Sequence, residues 1–298
     1  MRQEAAMVSA VLLSYKRVHN LKVILDALWS TESIEEVILW NNAPETWPQI
    51  RELVVERYAD RALHVMQDVS QRNLYTWGRF RGIMAASKPL IYTQDDDVMV
   101  MPDKIEELVR KHRESERLVA RLDAGHSKWA EVGGRYEHRY DGGRLACWEM
   151  LLGWGSVFPR WYVEYVAGLK FDDLLCRKAD RLFTMMVNQE HEVVTDKIDH
   201  LEGAWDRRAL YRMKDHWSLN ADAAVRATAN LEGQLATAGV FDVEQEVWAD
   251  PERTERRPVV GRRWSEELWG WMVWLEGHDA WIPEKELATW QGETTTSG

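Results

Sequence analysis

The sequence predicts an α/β protein, a mainly parallel sheet with helices on both faces, followed by a small C-terminal appendage. Between residues 7 and 94, short continuous apolar runs alternate with segments of helical periodicity, which is the pattern of a sheet covered on both sides. The fourth run ends abruptly in Asp95, Asp96 and Asp97, as a buried strand does when it reaches a polar edge. From residue 218 the composition shifts, first to an Ala-rich helical stretch and then to arginines and tryptophans.

The elements follow in order. MVSAVLLSY (7–15) is rich in Val and Leu without alternation, as expected of a strand buried on both faces. HNLKVILDALW (19–29) places Leu21, Ile24, Leu25 and Leu28 at helical spacing. EEVILWNN (35–42) is a second strand ending in an Asn pair, and WPQIRELVVERYA (47–59) is a helix with Pro48 in its first turn. ALHVMQ (62–67) is the third strand, 74–87 a helix, and PLIYTQ (89–94) the fourth strand. A helix opens on Pro102 and Asp103, and a β-leaning stretch covers 117–122. A Gly-dotted segment then runs to Gly143. LLGWGSVF reads as a loop, 177–190 as a helix and HEVVT as a strand.

The 298 residues are 45% hydrophobic, enough for a packed core, and no apolar run approaches the roughly 20 residues of a membrane span. Cys147 and Cys176 make neither a disulfide framework nor a zinc site. With no signal-peptide pattern at the N-terminus, a soluble, cytoplasmic protein is expected. The net charge of −11 argues against a bulk nucleic-acid binder, although local basic clusters such as Arg253, Arg256, Arg257, Arg262 and Arg263 keep phosphate binding open.

In an open parallel sheet, ligands bind beyond the carboxyl ends of the strands. The segments expected there are Ser14–Arg17, Asn41–Asn42, Ser70–Asn73 and Asp95–Asp97. No GxGxxG or P-loop is present, which disfavours a dinucleotide site and a phosphate-cradling ATPase. Three carboxylates at a strand end need neutralising. A divalent cation does this while keeping several waters and sharing substrate phosphates. Strand alternation would point Asp95 and Asp97 one way and Asp96 the other.

The order VLLSYKR, VILWNN, SQRN, QDDD resembles the GT-A glycosyltransferases, whose Asp-x-Asp motif holds metal and sugar nucleotide. GGRYEHRY, EMLLGWGSVFPRWYVEYV and FDDLLCRKADRLFTMMVN look like the exostosin-like (GT64) catalytic domain, so that the resemblance covers about residues 7–200. It implies a Mn²⁺- or Mg²⁺-dependent transferase that uses a nucleotide-sugar donor, most simply a UDP-sugar. Asp95 and Asp96 would contact the nucleotide and Asp97 the metal. Tyr15, Arg17, Asn41, Asn42, Arg72 and Asn73 would lie along the donor nucleotide, and Gly153, Trp154 and Gly155 at the sugar and acceptor. Asp180 matches the second acid of the family's acidic pair and would act as base or oxocarbenium stabiliser. The first acid is replaced by Ala179, with Asp172 and Asp173 upstream as substitutes. His216 would be a further metal ligand. Arg72 or Arg79 would stabilise the leaving diphosphate. The acceptor stays open: a glycan, a protein, a lipid-linked sugar or a modified base in DNA. A nucleotidyltransferase and an inactive sugar- or nucleic-acid-binding module are the competing readings.

The catalytic domain is expected to span 1–217 and the appendage 218–298. Tryptophan is over-represented, 17 against 5 Phe and 9 Tyr, and six of these lie from Trp264 to Trp290. The stretch RRWSEELWGWMVWLEGHDAWIPEKEL faintly resembles the last two strands of an SH3-like barrel.

Overall fold

The computed structural model describes residues 7–123, 135–140, 143–148, 151–187, 191–204 and 213–215. It also describes short stretches at 218–220, 222–224, 226–227, 230, 246–248, 256–265, 270–275 and 282–283. The chain divides into two compact units, Met1–Thr228 and Ala229–Gly298. The first extends past the expected boundary at 217. Arg226 clasps Asp172 through two contacts of 2.8 Å, and Ala223, Ala224 and Ala227 are buried.

The first unit is built on a seven-stranded sheet. Its strands are β1 (Val8–Ser14), β2 (Ile34–Asn41), β3 (Leu63–Gln67), β4 (Leu90–Asp95), β6 (Val119–Asp123), β9 (Ser156–Pro159) and β10 (Glu192–Asp196). The order is β10-β6-β9-β4-β1-β2-β3. All pairings are parallel except those of β9, which runs antiparallel between β4 and β6. The segment expected as a loop, LLGWGSVF, is therefore a loop only as far as Gly155. Its last residues enter the sheet, so the loop itself arrives at the carboxyl edge of β4. Two smaller pairings complete the unit: β5 (Val98–Met99) with β11 (Asp199–His200), and β7 (Arg135–Tyr140) with β8 (Gly143–Trp148).

Both faces of the sheet are covered, and strand alternation decides what each face meets. Val8, Ala10 and Leu12 of β1 pack with Leu21, Ile24, Leu25 and Leu28 of α1 (Val18–Trp29). Ile50 of α2 (Trp47–Arg57) and Ile105, Leu108 and Val109 of α4 (Pro102–Ser115) join the same cluster. The opposite face, with Val11, Ile38 and Trp40, receives α3 (Trp77–Ala85). A Cβ at Gly78 would stand 2.4 Å from the Trp40 ring, so α3 approaches the sheet this closely only because Gly occupies that position. Phe183 of α6 (Asp173–Val187) then links Phe80 of α3 to Phe158 of β9, with ring centroids 5.1 and 5.0 Å apart. A short α5 (Glu164–Ala167) precedes α6.

The second unit holds a four-stranded antiparallel sheet in the order β12 (Glu246–Trp248), β13 (Arg256–Ser265), β14 (Gly270–Leu275), β15 (Ile282–Pro283). Among the described residues, no helix is long and apolar enough to cross a membrane.

Candidate functional site

The carboxyl edge of β4 delivers the acidic triplet, and the three side chains part company there. Asp96 is the buried one, its side chain 2% exposed. Its carboxylate accepts the Tyr15 backbone N–H at 2.6 Å, the Ser14 hydroxyl at 3.1 Å and Arg17 Nη1 at 2.7 Å. Asn20 donates to its backbone carbonyl at 2.9 Å. The loop after β1 thus folds around Asp96, with Lys16 held at φ 67°, a left-handed conformation that a side-chain-bearing residue rarely adopts. Of the three acids, Asp96, expected at the nucleotide, is the one whose oxygens bond this loop.

Asp95 and Asp97 keep open faces, with side chains 35% and 19% exposed. Asp97 lies 3.1 Å from Arg17 Nη2, and Asp95 Oδ1 accepts Arg79 Nη2 at 2.7 Å. Burial pushes the Asp97 carboxyl well above the usual carboxylate range; neighbouring Asp95 adds to this, and Arg17 opposes it. The loop 151–155 closes on the same point. The Gly153 carbonyl accepts the Asp95 N–H at 2.8 Å, and a Cβ on Gly153 would stand 2.1 Å from Asp95 Oδ2. Glycine is required there by close approach. Gly155 takes φ 107°, and Trp154 between them is half-buried, packed on the apolar cluster and edge-on to His200.

Arg79 has a different place from the one expected. It is fully buried, with Nη1 on Thr93 Oγ1 at 3.2 Å, Nη2 on Asp95 and Nε 3.2 Å from Asp180 Oδ1. Arg79 thus lies beneath the acids and joins Asp95 to Asp180. The Asp180 contact is electrostatic, without hydrogen-bond alignment. Burial pushes the Asp180 carboxyl up to about 6, against the pull of Arg79 and with a further push from Asp95.

The Asn residues at the second turn are also spoken for. Asn41 accepts from Ala43 N and Thr46 Oγ1 and donates to the Ala43 carbonyl. Asn42 accepts from Trp40 Nε1 and Leu74 N and donates to the Tyr75 carbonyl. Asn73 accepts from Tyr75 N. All three act as turn-forming amides in the loops where nucleotide contacts are expected. Arg72 is exposed, paired with Asp68 at 3.3 Å and set over the Phe171 ring at 5.8 Å, while Tyr15 faces the Lys16 ammonium at 5.2 Å.

The two acids named as substitutes for the one missing at Ala179 have partners of their own. Asp172 opens α6, accepting the Leu175 N–H at 2.9 Å and pairing with Arg226; Asp173 is exposed beside Arg177. His216 lies outside the described residues. Among the described residues, no group of three or more His, Cys, Asp or Glu could hold a metal by protein ligands alone.

The chain has counterparts in family pattern and in fold. Residues 9–156 match the model of glycosyl transferase family 2. In fold, the chain is similar to the mannosyltransferase PcManGT from Pyrobaculum calidifontis in complex with GDP-Man and Mn²⁺. That likeness has a TM-score of 0.50 at 13% identity, over 78% of this chain and 75% of that one. It is also similar to S. aureus TarS 1-349 in complex with UDP-GlcNAc, with a TM-score of 0.51 at 11% identity, over 77% and 73% of the two chains. No curated protein matches the sequence. The fold is that of the GT-A glycosyltransferases. With residues 9–156 matching the family 2 model on this fold, the protein is a glycosyltransferase; the narrower exostosin-like resemblance rests on the later motifs alone.

Proposed function

We propose that the protein moves a sugar from a nucleoside-diphosphate sugar to an acceptor hydroxyl at the carboxyl edge of β4, with Asp180 as the base. The observation that carries this reading is the convergence there of Asp95, Asp97 and Asp180, the first and last joined by one buried guanidinium. Asp95 and Asp97 suit a Mg²⁺- or Mn²⁺-class ion. They are two partly exposed oxygen donors, crowded enough that Asp97 resists ionising, and such ions take one or two carboxylates plus substrate phosphates. When bound, the ion would neutralise charge on the departing diphosphate.

The protein's own groups supply the rest. The acceptor hydroxyl loses its proton to the Asp180 carboxylate as its oxygen bonds to the sugar's anomeric carbon. The bond from that carbon to the diphosphate breaks, and its electron pair leaves with the nucleotide. A base whose carboxyl has been raised toward neutrality is matched to such a transfer. The Gly153 loop crowds Asp95 and so fixes one wall of the donor pocket. UDP-sugars are the first donors to try.

A thermal-shift panel of UDP-, GDP- and CMP-sugars with Mn²⁺ or Mg²⁺ tests this, because a ligand that binds only the folded state raises its melting temperature. At least one donor should stabilise the wild type. Asp97→Ala should remove that shift while leaving the unliganded melting temperature close to wild type. An Asp97→Ala variant that keeps the full metal-dependent shift refutes the assignment.

A further inference from the structure

Helix α6, which carries Asp180, is not continuous. Lys178 has φ −130° and ψ 23°, outside the helical region, so the helix breaks immediately before Ala179 and Asp180. In an unbroken helix the Ala179 N–H would go to the Leu175 carbonyl, and the Cys176 carbonyl would take the Asp180 N–H. Thr76 enters the ladder at this break. Its hydroxyl donates to the Cys176 carbonyl at 3.1 Å and accepts the Ala179 N–H at 3.1 Å. One side-chain oxygen inserted in the ladder serves both backbone groups flanking the kink, a recognised cause of sharp helix bends.

Thr76 does not serve its own helix. It occupies the N-cap position of α3, where a threonine ordinarily caps its own helix, yet it makes no such bond. The loop before it is tightly held. Tyr75 sits at φ 48°, its N–H is taken by Asn73 and its carbonyl accepts the Asn42 amide from the end of β2. Three residues beyond Thr76 stands Arg79, whose Nε lies 3.2 Å from Asp180 Oδ1.

We infer that Thr76 is a positioning residue that sets where Asp180 stands, by splicing the loop after β3 into the break of α6. This rests on Asp180 being the base. The rim of the donor pocket and the base are thereby one mechanical unit. Thr76 touches no reacting atom and acts only through the geometry of residue 180.

Thr76→Val keeps the volume and removes the hydroxyl, whereas Thr76→Ser keeps the hydroxyl. Turnover is followed as release of nucleoside diphosphate with Mn²⁺, using whichever of UDP-glucose, UDP-GlcNAc and GDP-mannose gives the largest thermal shift. Thr76→Val should lower kcat by about 10- to 100-fold, the scale of an ångström-sized misplacement, with KM for the donor within about 2-fold. Thr76→Ser should restore it. Amide exchange at Ala179 should speed up in Thr76→Val and return toward wild type in Thr76→Ser. Should Thr76→Val fail to fold, Thr76→Ala makes the same comparison.

In an Asp180→Asn background, Thr76→Val should cost nothing further in kcat. An unchanged kcat, a loss confined to KM, an equal loss in the Asp180→Asn background, or retained protection of Ala179 would each overturn the inference. If Asp180→Asn turns over like wild type, it is the base assignment that fails. The splice itself then stands or falls on Ala179 exchange.

Discussion

At the amino edge of the sheet, Glu36 is nearly buried and is held by uncharged donors. It accepts the Ser9 hydroxyl and the Ser87 backbone N–H at 2.9 Å, and exposed His64 stands 3.7 Å away. At the carboxyl edge of the same strands, Asp95, Asp96, Asp97 and Asp180 crowd around Arg17 and Arg79. Both hydrogen bonds converge on Glu36 Oε2, and fixed uncharged donors of this kind hold a carboxylate in place without a second charge beside it. Two guanidiniums among four carboxylates leave negative charge in excess, which is what the proposed reaction would need for a cation and a proton. The carboxyl edge divides again within itself. Arg17 ties Asp96 and Asp97 to the backbone, its Nε and Nη2 reaching the Gly203 carbonyl at 3.1 and 2.9 Å, whereas Arg79 joins Asp95 to Asp180.

The largest effect expected from breaking this pattern is at Arg79. Arg79→Met removes a fully buried cation and strands Asp95 and Asp180 without a counter-charge. Breaking such a buried pair typically costs about 3–5 kcal/mol, read as a drop in urea midpoint at unchanged slope. Arg17→Met should cost less, about 1–3 kcal/mol. Asp96 keeps the Tyr15 N–H and the Ser14 hydroxyl, and Asp97 reaches solvent. Equal losses in the two variants would erase the distinction between a clamp on the loop and a bridge between functional acids.

The strands and helices around the site were legible because burial on both faces writes itself as unbroken apolar runs, as in Val8–Ser14. The edge where the site is proposed is marked in a related way: the three consecutive carboxylates stand where the run of β4 ends. The partners were not legible. Arg17 and Asp96 are 79 residues apart, and nothing in either segment shows that they meet. Asn41 and Asn42 lay in the right turn, yet an Asn that ligates and an Asn that bonds its own loop look alike in sequence. Ser156–Phe158, the end of LLGWGSVF, shows no strand signal in sequence because it follows Gly155 and is too short to show a period; only its neighbours β4 and β6 make it a strand. Thr76 left no mark beyond being a good cap residue before a helix.

The smallest effect belongs to the amino edge and carries a definite sign. Burial works against the Glu36 anion, but the Ser87 N–H and the Ser9 hydroxyl prevail and hold its carboxyl below 4.5 in the folded chain. With the folded value below the unfolded one, the stabilisation is present above pH about 4.5 and is lost as pH falls through the folded value. Melting temperatures across pH 3 to 7 should therefore fall on the acid side in the wild type, and less steeply in Glu36→Gln. At pH 7 the variant should be less stable by about 1 kcal/mol, the scale of one hydrogen bond to a charged group exchanged for a neutral one. Because Glu36 is remote in the strands from Asp95–Asp97, Glu36→Gln should leave donor thermal shifts unchanged. A variant that altered them would mean that the two edges do not act independently, and the contrast between a carboxylate held by uncharged donors and carboxylates crowded together would fail.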